Sequence, residues 1–163
     1  MNIIKTKLND CIIIEPKVFG DNRGFFLETF QAKRYRDLAK ITFSFVQDNH
    51  SVSKVGVLRG IHYQTDPMAQ GKLVRVVCGE VFDVAVDLRR ESKYFGRYAT
   101  AVLSAENRKQ LWIPPGLAHG FLVTSEYADF FEEGQDTDAV EENMTSLIFK
   151  NKHILMHRQH YPI

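Results

Sequence analysis

The chain has 163 residues, of which 44% are hydrophobic, and its formal net charge at pH 7 is +1. This length suggests one domain, or one domain with a tail, and enough apolar residues to form a core. The near-neutral charge shows no basic excess and no charged block, which argues against nucleic acid binding and against a disordered arm. Neither a leader pattern nor a long apolar run is visible, so we expect a cytoplasmic protein without a membrane partner.

The two cysteines, Cys11 and Cys78, both lie in apolar runs and lack CxxC spacing. Buried thiols are therefore expected at both positions, in preference to a disulfide or a zinc site.

The first 130 residues contain many short candidate strands and one candidate helix. The helix, at 31–40, is indicated by Tyr35, Leu38 and Ala39, which recur at helical spacing among charged residues. Many short strands at close spacing predict an all-β sandwich or barrel. The strands are predicted at residues 11–16, 24–30, 43–49, 57–64, 72–77, 80–88, 98–103, 110–113 and 120–124.

The segment 57–64 carries two side chains that suit a functional site. Because side chains alternate along a strand, a regular strand places Arg59 on one face and His62 on the other, unless a bulge at Gly60 changes the assignment. An imidazole can take up a proton near neutral pH, and a guanidinium can bind a phosphate. Taken alone, the pair is also compatible with a structural histidine and a surface charge, which is the simpler interpretation.

The segment 80–88 has the cleanest apolar alternation in the chain. Asp83 is predicted on the face with small residues, where a carboxylate needs a partner such as Lys72 or a histidine. A purely structural pair is an equally good explanation of this aspartate. The other face is predicted to present Phe82, Val84, Val86 and Leu88.

Five motifs then follow one another in order: 19–26 (FGDNRGFF), 47–51 (QDNHS), 58–64 (LRGIHYQ), 70–75 (QGKLVR) and 115–121 (PGLAHGF). Together they closely resemble the dTDP-4-dehydrorhamnose 3,5-epimerase family, from about Lys5 to Phe130 without a gap. The resemblance implies an all-β, cupin-like double-stranded β-helix (jelly roll) with one or two short helices. It also implies a homodimer whose N-terminal strands are exchanged between the subunits.

The resemblance further implies an isomerase that works without a cofactor. Its substrate is a dTDP-linked 4-keto-6-deoxy sugar, dTDP-4-keto-6-deoxyglucose, which is inverted at C3 and C5 in dTDP-L-rhamnose biosynthesis. The C4 ketone acidifies the protons at C3 and C5, so the reaction needs a base, stabilisation of the enolate, and a proton returned to the opposite face. His62 matches the base, and Lys72, on a neighbouring strand, matches the cation beside the enolate; Asp83 completes the predicted catalytic set. Without the resemblance, Lys72 is equally compatible with a solvated lysine at a strand edge.

Substrate-binding residues are implied in three groups. Arg23, Arg59 and His119 match positions that contact the diphosphate or the sugar, and the arginine fork suits phosphate oxygens. Phe19 and Phe26 can stack on thymine, although ordinary core packing explains them equally well. The residues that can form hydrogen bonds to the base, sugar or phosphate are Glu28, Gln47 and Asn49.

No metal is expected at the site. Metal-binding cupins use two histidines one residue apart, a carboxylate and a later histidine. Here the residue two positions after His62 is Gln64, so this ligand set is incomplete.

The resemblance ends after Phe130, and residues 131–163 are predicted to form a divergent C-terminal tail beside the 1–130 core. Glu132 stands where the family has the tyrosine proposed as proton donor, and the distal aspartate that orients the catalytic histidine has no counterpart. Glu132 can replace the tyrosine only as a protonated acid, a form that burial favours. The alternative function is therefore a catalytically impaired or non-catalytic dTDP-sugar-binding homologue. His153, His157 and His160 have a spacing compatible with one helical face, but an exposed tail is the simpler interpretation.

Overall fold

The computed structural model describes residues 1–135 and the strand Thr145–Ser146. Two antiparallel sheets face each other. One has six strands, in the spatial order β1 (Asn2–Lys5), β2 (Ile12–Glu15), β10 (Gln110–Ile113), β7 (Lys72–Cys78), β12 (Tyr127–Gln135) and β5 (Phe45–Lys54). The other has five, in the order β13 (Thr145–Ser146), β6 (Leu58–Tyr63), β11 (Leu117–Val123), β8 (Glu80–Asp87) and β9 (Tyr98–Ser104). This architecture confirms the all-β, cupin-like jelly roll.

The main core lies between the two sheets and follows the two-residue alternation of the strands. In β8 the side chains of Val81, Asp83 and Ala85 are fully buried, whereas Phe82 is largely exposed, as the sequence pattern predicts. From the facing sheet, Phe130 of β12 stacks on Phe121 of β11, with ring centroids 4.0 Å apart. Each such buried phenylalanine contributes roughly 1.5–3 kcal/mol to folding. The contact fixes the spacing of the sheets beside the site.

The predicted helix at 31–40 forms two short turns, the α-helical Ala32–Arg34 and the π-helical Tyr35–Ala39. Tyr35 and Ala39 are buried, and the Tyr35 hydroxyl donates to Gln110 Oε1 at 2.7 Å. Leu38, predicted on the same apolar face, is instead 53% exposed, because the wider turn rotates it away from its neighbours.

A separate two-stranded hairpin, β3 (Val18–Asp21) and β4 (Gly24–Leu27), pairs with neither large sheet. Its aromatic residues Phe19, Phe25 and Phe26 are all exposed, Phe26 by 69%. Two of the rings have a described cationic neighbour: Lys17 Nζ lies 4.8 Å from the centroid of Phe19, and the guanidinium carbon of Arg108 lies 4.3 Å from that of Phe25. The interpretation of Phe19 and Phe26 as ordinary core residues is therefore wrong for the single chain.

Both cysteines are free thiols: Cys11 is buried, as predicted, whereas Cys78 is partly exposed. Burial raises the pKa of Cys11 to about 12. No helix among the described residues is long and apolar enough to cross a membrane.

Candidate functional site

A cleft of about 980 Å³ opens between the two sheets. One wall comes from β6 and β11, the other from β5, β7 and β12. Of the ten residues predicted for the site, seven lie at this cleft or directly beneath it. Six line it, namely Gln47, Asn49, Arg59, His62, Lys72 and His119, and Asp83 is bonded to His119.

A bulge in β6 brings Arg59 and His62 to the same face. His62 pairs with His119, but Arg59 pairs with Phe121, so three residues of β6 span the distance of two in β11. Because His119 and Phe121 lie two residues apart on one face of β11, their partners also share a face. The assignment for a regular strand, with Arg59 and His62 on opposite faces, is wrong, and the bulge named as the alternative is present.

Gly60 allows this bulge. Its φ is +112°, and a Cβ there would lie 2.6 Å from both Gly120 Cα and the His119 carbonyl oxygen. Glycine is the residue that accepts both the positive φ and the close approach of another backbone.

The Arg59 side chain is held by a contact at the floor of the cleft. Its Nε donates to the Ser53 hydroxyl at 2.9 Å, a contact that joins β6 to β5 across the floor of the cleft. Within the described part of the chain, its terminal nitrogens make no hydrogen bond, so they point a fork of donors at the cleft.

His62 is half-buried, and its imidazole makes no hydrogen bond to any described residue. Burial and the nearby positive charges of Lys72 and His119 lower its pKa, while Glu132 acts in the opposite direction. A neutral imidazole can accept a proton, so at neutral pH this side chain has the form that a base requires.

Lys72 faces His62 from the opposite wall. Its strand, β7, belongs to the six-stranded sheet, so the prediction that it lies on a strand neighbouring that of His62 is wrong. The sheet changes because the chain from 64 to 71 crosses to the other side of the sandwich. Lys72 Nζ donates to Glu132 Oε1 at 2.9 Å, and the two side chains are only 19% and 16% exposed.

Glu132 is ionised, not protonated. Burial opposes its ionisation, but Lys72, His119 and the hydrogen bonds from Lys72 and Asn49 together lower its pKa. The condition under which Glu132 could replace the tyrosine, a carboxyl kept protonated by burial, is not met, because the cationic partner outweighs desolvation. Glu132 cannot act as the acid that the tyrosine would have been.

Asp83 pairs with a histidine, one of its two predicted kinds of partner. His119 Nε2 lies 3.0 Å from both carboxylate oxygens, and the two side chains are 0% and 6% exposed. The ring of His119 also stacks on Phe130 at a centroid distance of 6.0 Å. Asp83 therefore holds His119 in a fixed orientation at the edge of the cleft, and Lys72 is paired elsewhere.

The polar residues of β5 line the same wall as Lys72. Gln47 donates to Asn49 at 3.1 Å, and Asn49 lies 3.5 Å from Glu132. Sequence reasoning missed Ser51 and Ser53, which also line the cleft. The sequence pattern could have identified these two serines, because polar residues recur at every second position from 47 to 53 and therefore lie on one face of the strand.

The three remaining predicted residues do not reach this cleft. Arg23 lies in the hairpin and pairs with Asp21 at 2.6 Å. Glu28 is paired with Arg34, and Phe26 projects into solvent. The structure of one chain therefore does not bring Arg23, Phe26 and Glu28 together with His62.

Two further features bear on the site. Residues 1–135 contain no cluster of three or more potential metal ligands from His, Cys, Asp and Glu. The histidines at 153, 157 and 160 lie outside the described residues.

Comparisons with known proteins agree with this geometry. The family model described as dTDP-4-dehydrorhamnose 3,5-epimerase matches residues 5–154. The enzyme of that name from Shigella flexneri is 60% identical over 130 residues, covering 80% of this chain and 72% of the relative. The one from Pseudomonas aeruginosa is 54% identical over 141 residues, covering 86% and 77%.

Among solved structures, the dTDP-6-deoxy-D-glucose-3,5-epimerase from Legionella pneumophila in complex with dTDP-4-keto-L-rhamnose is 53% identical, with a TM-score of 0.88. It covers 93% of this chain, and this chain covers 79% of it. The jelly roll, the family model and the relatives lead to one conclusion: this chain belongs to the dTDP-4-dehydrorhamnose 3,5-epimerase family.

Proposed function

We propose that this chain is a dTDP-4-dehydrorhamnose 3,5-epimerase, which inverts C3 and C5 of dTDP-4-keto-6-deoxyglucose in dTDP-L-rhamnose biosynthesis. The observation that carries the proposal is the arrangement of His62 and Lys72 on opposite walls of one cleft. A sugar ring between these walls would present one face to a neutral base and the other to a cation. That is the arrangement which removal of a proton next to a ketone requires.

The roles follow from the contacts. His62 removes the proton from the carbon next to the C4 ketone. Lys72 lies on the far wall, where its charge stabilises the developing enolate oxygen. Asp83 orients His119, whose imidazole contacts the sugar or diphosphate.

The nucleotide end is held by hydrogen-bond donors along the rim of the cleft. The terminal nitrogens of Arg59, which make no hydrogen bond to a described residue, would bind diphosphate oxygens, and Gln47 and Asn49 offer amide groups to the base or sugar. The Legionella relative was solved with a dTDP-linked keto sugar, which supports this class of ligand.

The exposed hairpin supports a homodimer. Arg23, Phe26 and Glu28 cannot serve the cleft of their own chain in the observed position, and the aromatic hairpin leaves a large apolar area in solvent. Exchange between two subunits would bury these rings and deliver the three side chains to the partner's cleft. The cytoplasmic location predicted from the sequence stays a prediction.

The direct test is to incubate the purified protein with dTDP-4-keto-6-deoxyglucose in deuterated water and to follow C3 and C5 by NMR. Deuterium at both carbons together with inverted product supports the proposal. No deuterium at either carbon, in a sample that binds dTDP, would refute it.

A second function is favoured by one observation, the ionised Glu132 on the wall opposite His62. With a carboxylate in place of a phenol there, the chain would bind the nucleotide sugar and be catalytically impaired or inactive. In the same experiment, deuterium exchange without inversion indicates impaired chemistry, and dTDP binding without exchange indicates a non-catalytic binding protein.

A further inference from the structure

We propose that the Lys72 ammonium, held in place by Glu132, returns the proton to the sugar on the face opposite His62. This inference rests on the proposed function and deepens it, because it names the proton donor of the second half of the reaction. Lys72 would then have two tasks, stabilising the enolate by its charge and protonating the carbon. Glu132 would be the positioning residue that makes the second task possible.

The groups that face the cleft on the far wall limit which side chain can return the proton. Among the described residues, the one tyrosine that lines the cleft is Tyr63, which lies in the same strand as His62. His50 of β5 also borders the cleft, but its ring stacks on Phe131 and contacts Asp129, which lie on the outer face of the sheet. Among the described residues, Lys72 and Glu132 are therefore the candidate proton-transferring side chains of that wall.

Of these two groups, only Lys72 carries a proton that it can give. Glu132 is a carboxylate and forms an ion pair with Lys72 Nζ at 2.9 Å. Alkylammonium groups and phenols have similar acidity, with ordinary pKa values of about 10. An ammonium is therefore an acid of the same strength as the phenol that the family uses, and strong enough to protonate the carbon of an enolate.

Glu132 also determines where Lys72 can point. The flexible lysine side chain is free to turn in an open cleft, but the carboxylate fixes one of its three N–H donors. Glu132 is itself fixed by Asn49 at 3.5 Å and by its position on β12, a strand that is paired on both sides, with β7 and β5. No described residue binds the other two N–H groups, which leaves them available to substrate.

The charges around the pair are consistent with this role. The groups that face it from the other wall are the guanidinium of Arg59 and the imidazole of His119, which is bonded to the buried carboxylate of Asp83. His62 is neutral between them because its pKa is lowered. The resting cleft therefore has a base on one wall and a protonated acid on the other, as inversion requires.

His62 removes the proton and Lys72 returns one to the opposite face. The C–H bond breaks, its proton passes to His62, and its electron pair forms the enolate with negative charge on the C4 oxygen. The enolate carbon then takes a proton from Lys72 on the opposite face, and the C4 ketone is restored. Lys72 is left as an amine and His62 as an imidazolium, and exchange with water returns both to their starting forms.

The decisive variant is Lys72→Arg, because a guanidinium keeps the positive charge but does not give up a proton in proteins. Exchange in deuterated water measures removal of the proton by His62 and its return to the same face. Inversion measures delivery to the opposite face. We expect the ratio of inversion to exchange to fall about 100-fold in Lys72→Arg. Lys109→Arg, at a surface pair with Glu15, is the matched control and leaves the ratio unchanged.

Glu132→Gln tests the positioning role. It keeps the shape of the side chain and removes the charge, and we expect the ratio to fall about tenfold while exchange continues, a change that a purely structural role would not produce. An unchanged ratio in Lys72→Arg would overturn the inference, as would exchange without any inversion in the wild type. Absence of exchange from the wild type would instead overturn the proposed function, and the inference with it.

Discussion

His119 Nε2 lies 3.0 Å from each carboxylate oxygen of Asp83, in a pair that is almost completely withdrawn from solvent. Asp83→Ala would leave a buried imidazole without its partner. Removing one member of a buried pair costs several kcal/mol, so we expect the free energy of unfolding to fall by about 3 kcal/mol. Denaturant unfolding followed by fluorescence measures this.

The matched control for Asp83 is Asp129→Ala. Asp129 also contacts a histidine, His50, but at 3.4 Å and at the surface. Its loss should change stability by less than about 1 kcal/mol. Equal effects of the two substitutions would show that burial of the Asp83 pair is unimportant.

The second prediction concerns the bulge at Gly60. Gly60→Ala would place a Cβ 2.6 Å from Gly120 Cα and force β6 away from β11. We expect a loss of stability above about 2 kcal/mol and a loss of dTDP binding, because Arg59 and His62 would no longer share a face. Gly96→Ala is the control, since Gly96 has a positive φ of +73° but no atom within 4 Å of the added Cβ. If both variants behave alike, the positive φ alone matters and the close approach does not.

The site shows where sequence patterns suffice and where they fail. The alternation of apolar residues in β8 correctly predicted that Asp83 lies on the buried face of the strand, because the strand is regular. No periodic pattern in the sequence marks the bulge at Gly60. The strand faces on which Arg59 and His62 lie therefore could not be decided before the register was known. Lys72 was expected on a strand neighbouring that of His62 but lies in the facing sheet, because the sequence does not show to which side a connection crosses. The ionisation of Glu132 depends on a partner 60 positions away, which no local pattern contains.

A third prediction concerns the pH dependence of proton removal. Burial, Lys72 and His119 lower the pKa of His62, and the base must be neutral to act. The rate of deuterium exchange should therefore be level at neutral pH and fall only below the ordinary histidine range near pH 6.5. Lys72→Met removes a positive charge that disfavours protonation of His62. In this variant the fall in exchange rate on the acid side of the pH profile should therefore move to higher pH. If the position of this fall does not change, Lys72 does not act on His62.

The fourth prediction uses Glu133, whose carboxyl lies in direct cross-strand register with Asp48. Burial and the Asp48 charge raise its pKa to about 7, against a weaker opposing effect of Arg75. The folded state then binds more protons than the unfolded state between about pH 4.5 and 7, so stability falls as pH rises through this range.

Glu133→Gln should therefore be more stable than wild type at pH 8, by about 1–2 kcal/mol after allowance for solvent screening. The gain should shrink towards pH 4.5, as thermal unfolding at several pH values would show. Glu126→Gln, at an exposed position, is the control. A gain that does not depend on pH would contradict the assignment.

The last prediction tests whether the hairpin serves a partner's cleft. Light scattering should give the mass of a dimer at micromolar concentration, and dTDP should raise the melting temperature by linkage. Arg23→Ala and Arg59→Ala should each weaken dTDP binding about tenfold or more, because each removes a charge-assisted contact to phosphate.

If Arg23 comes from the partner, a heterodimer of these two variants has one cleft with both arginines and one cleft with neither. Such a heterodimer, prepared with two affinity tags, should regain tight binding at half the sites. If Arg23 instead serves its own chain, both clefts stay defective, and titration calorimetry will detect no tight site.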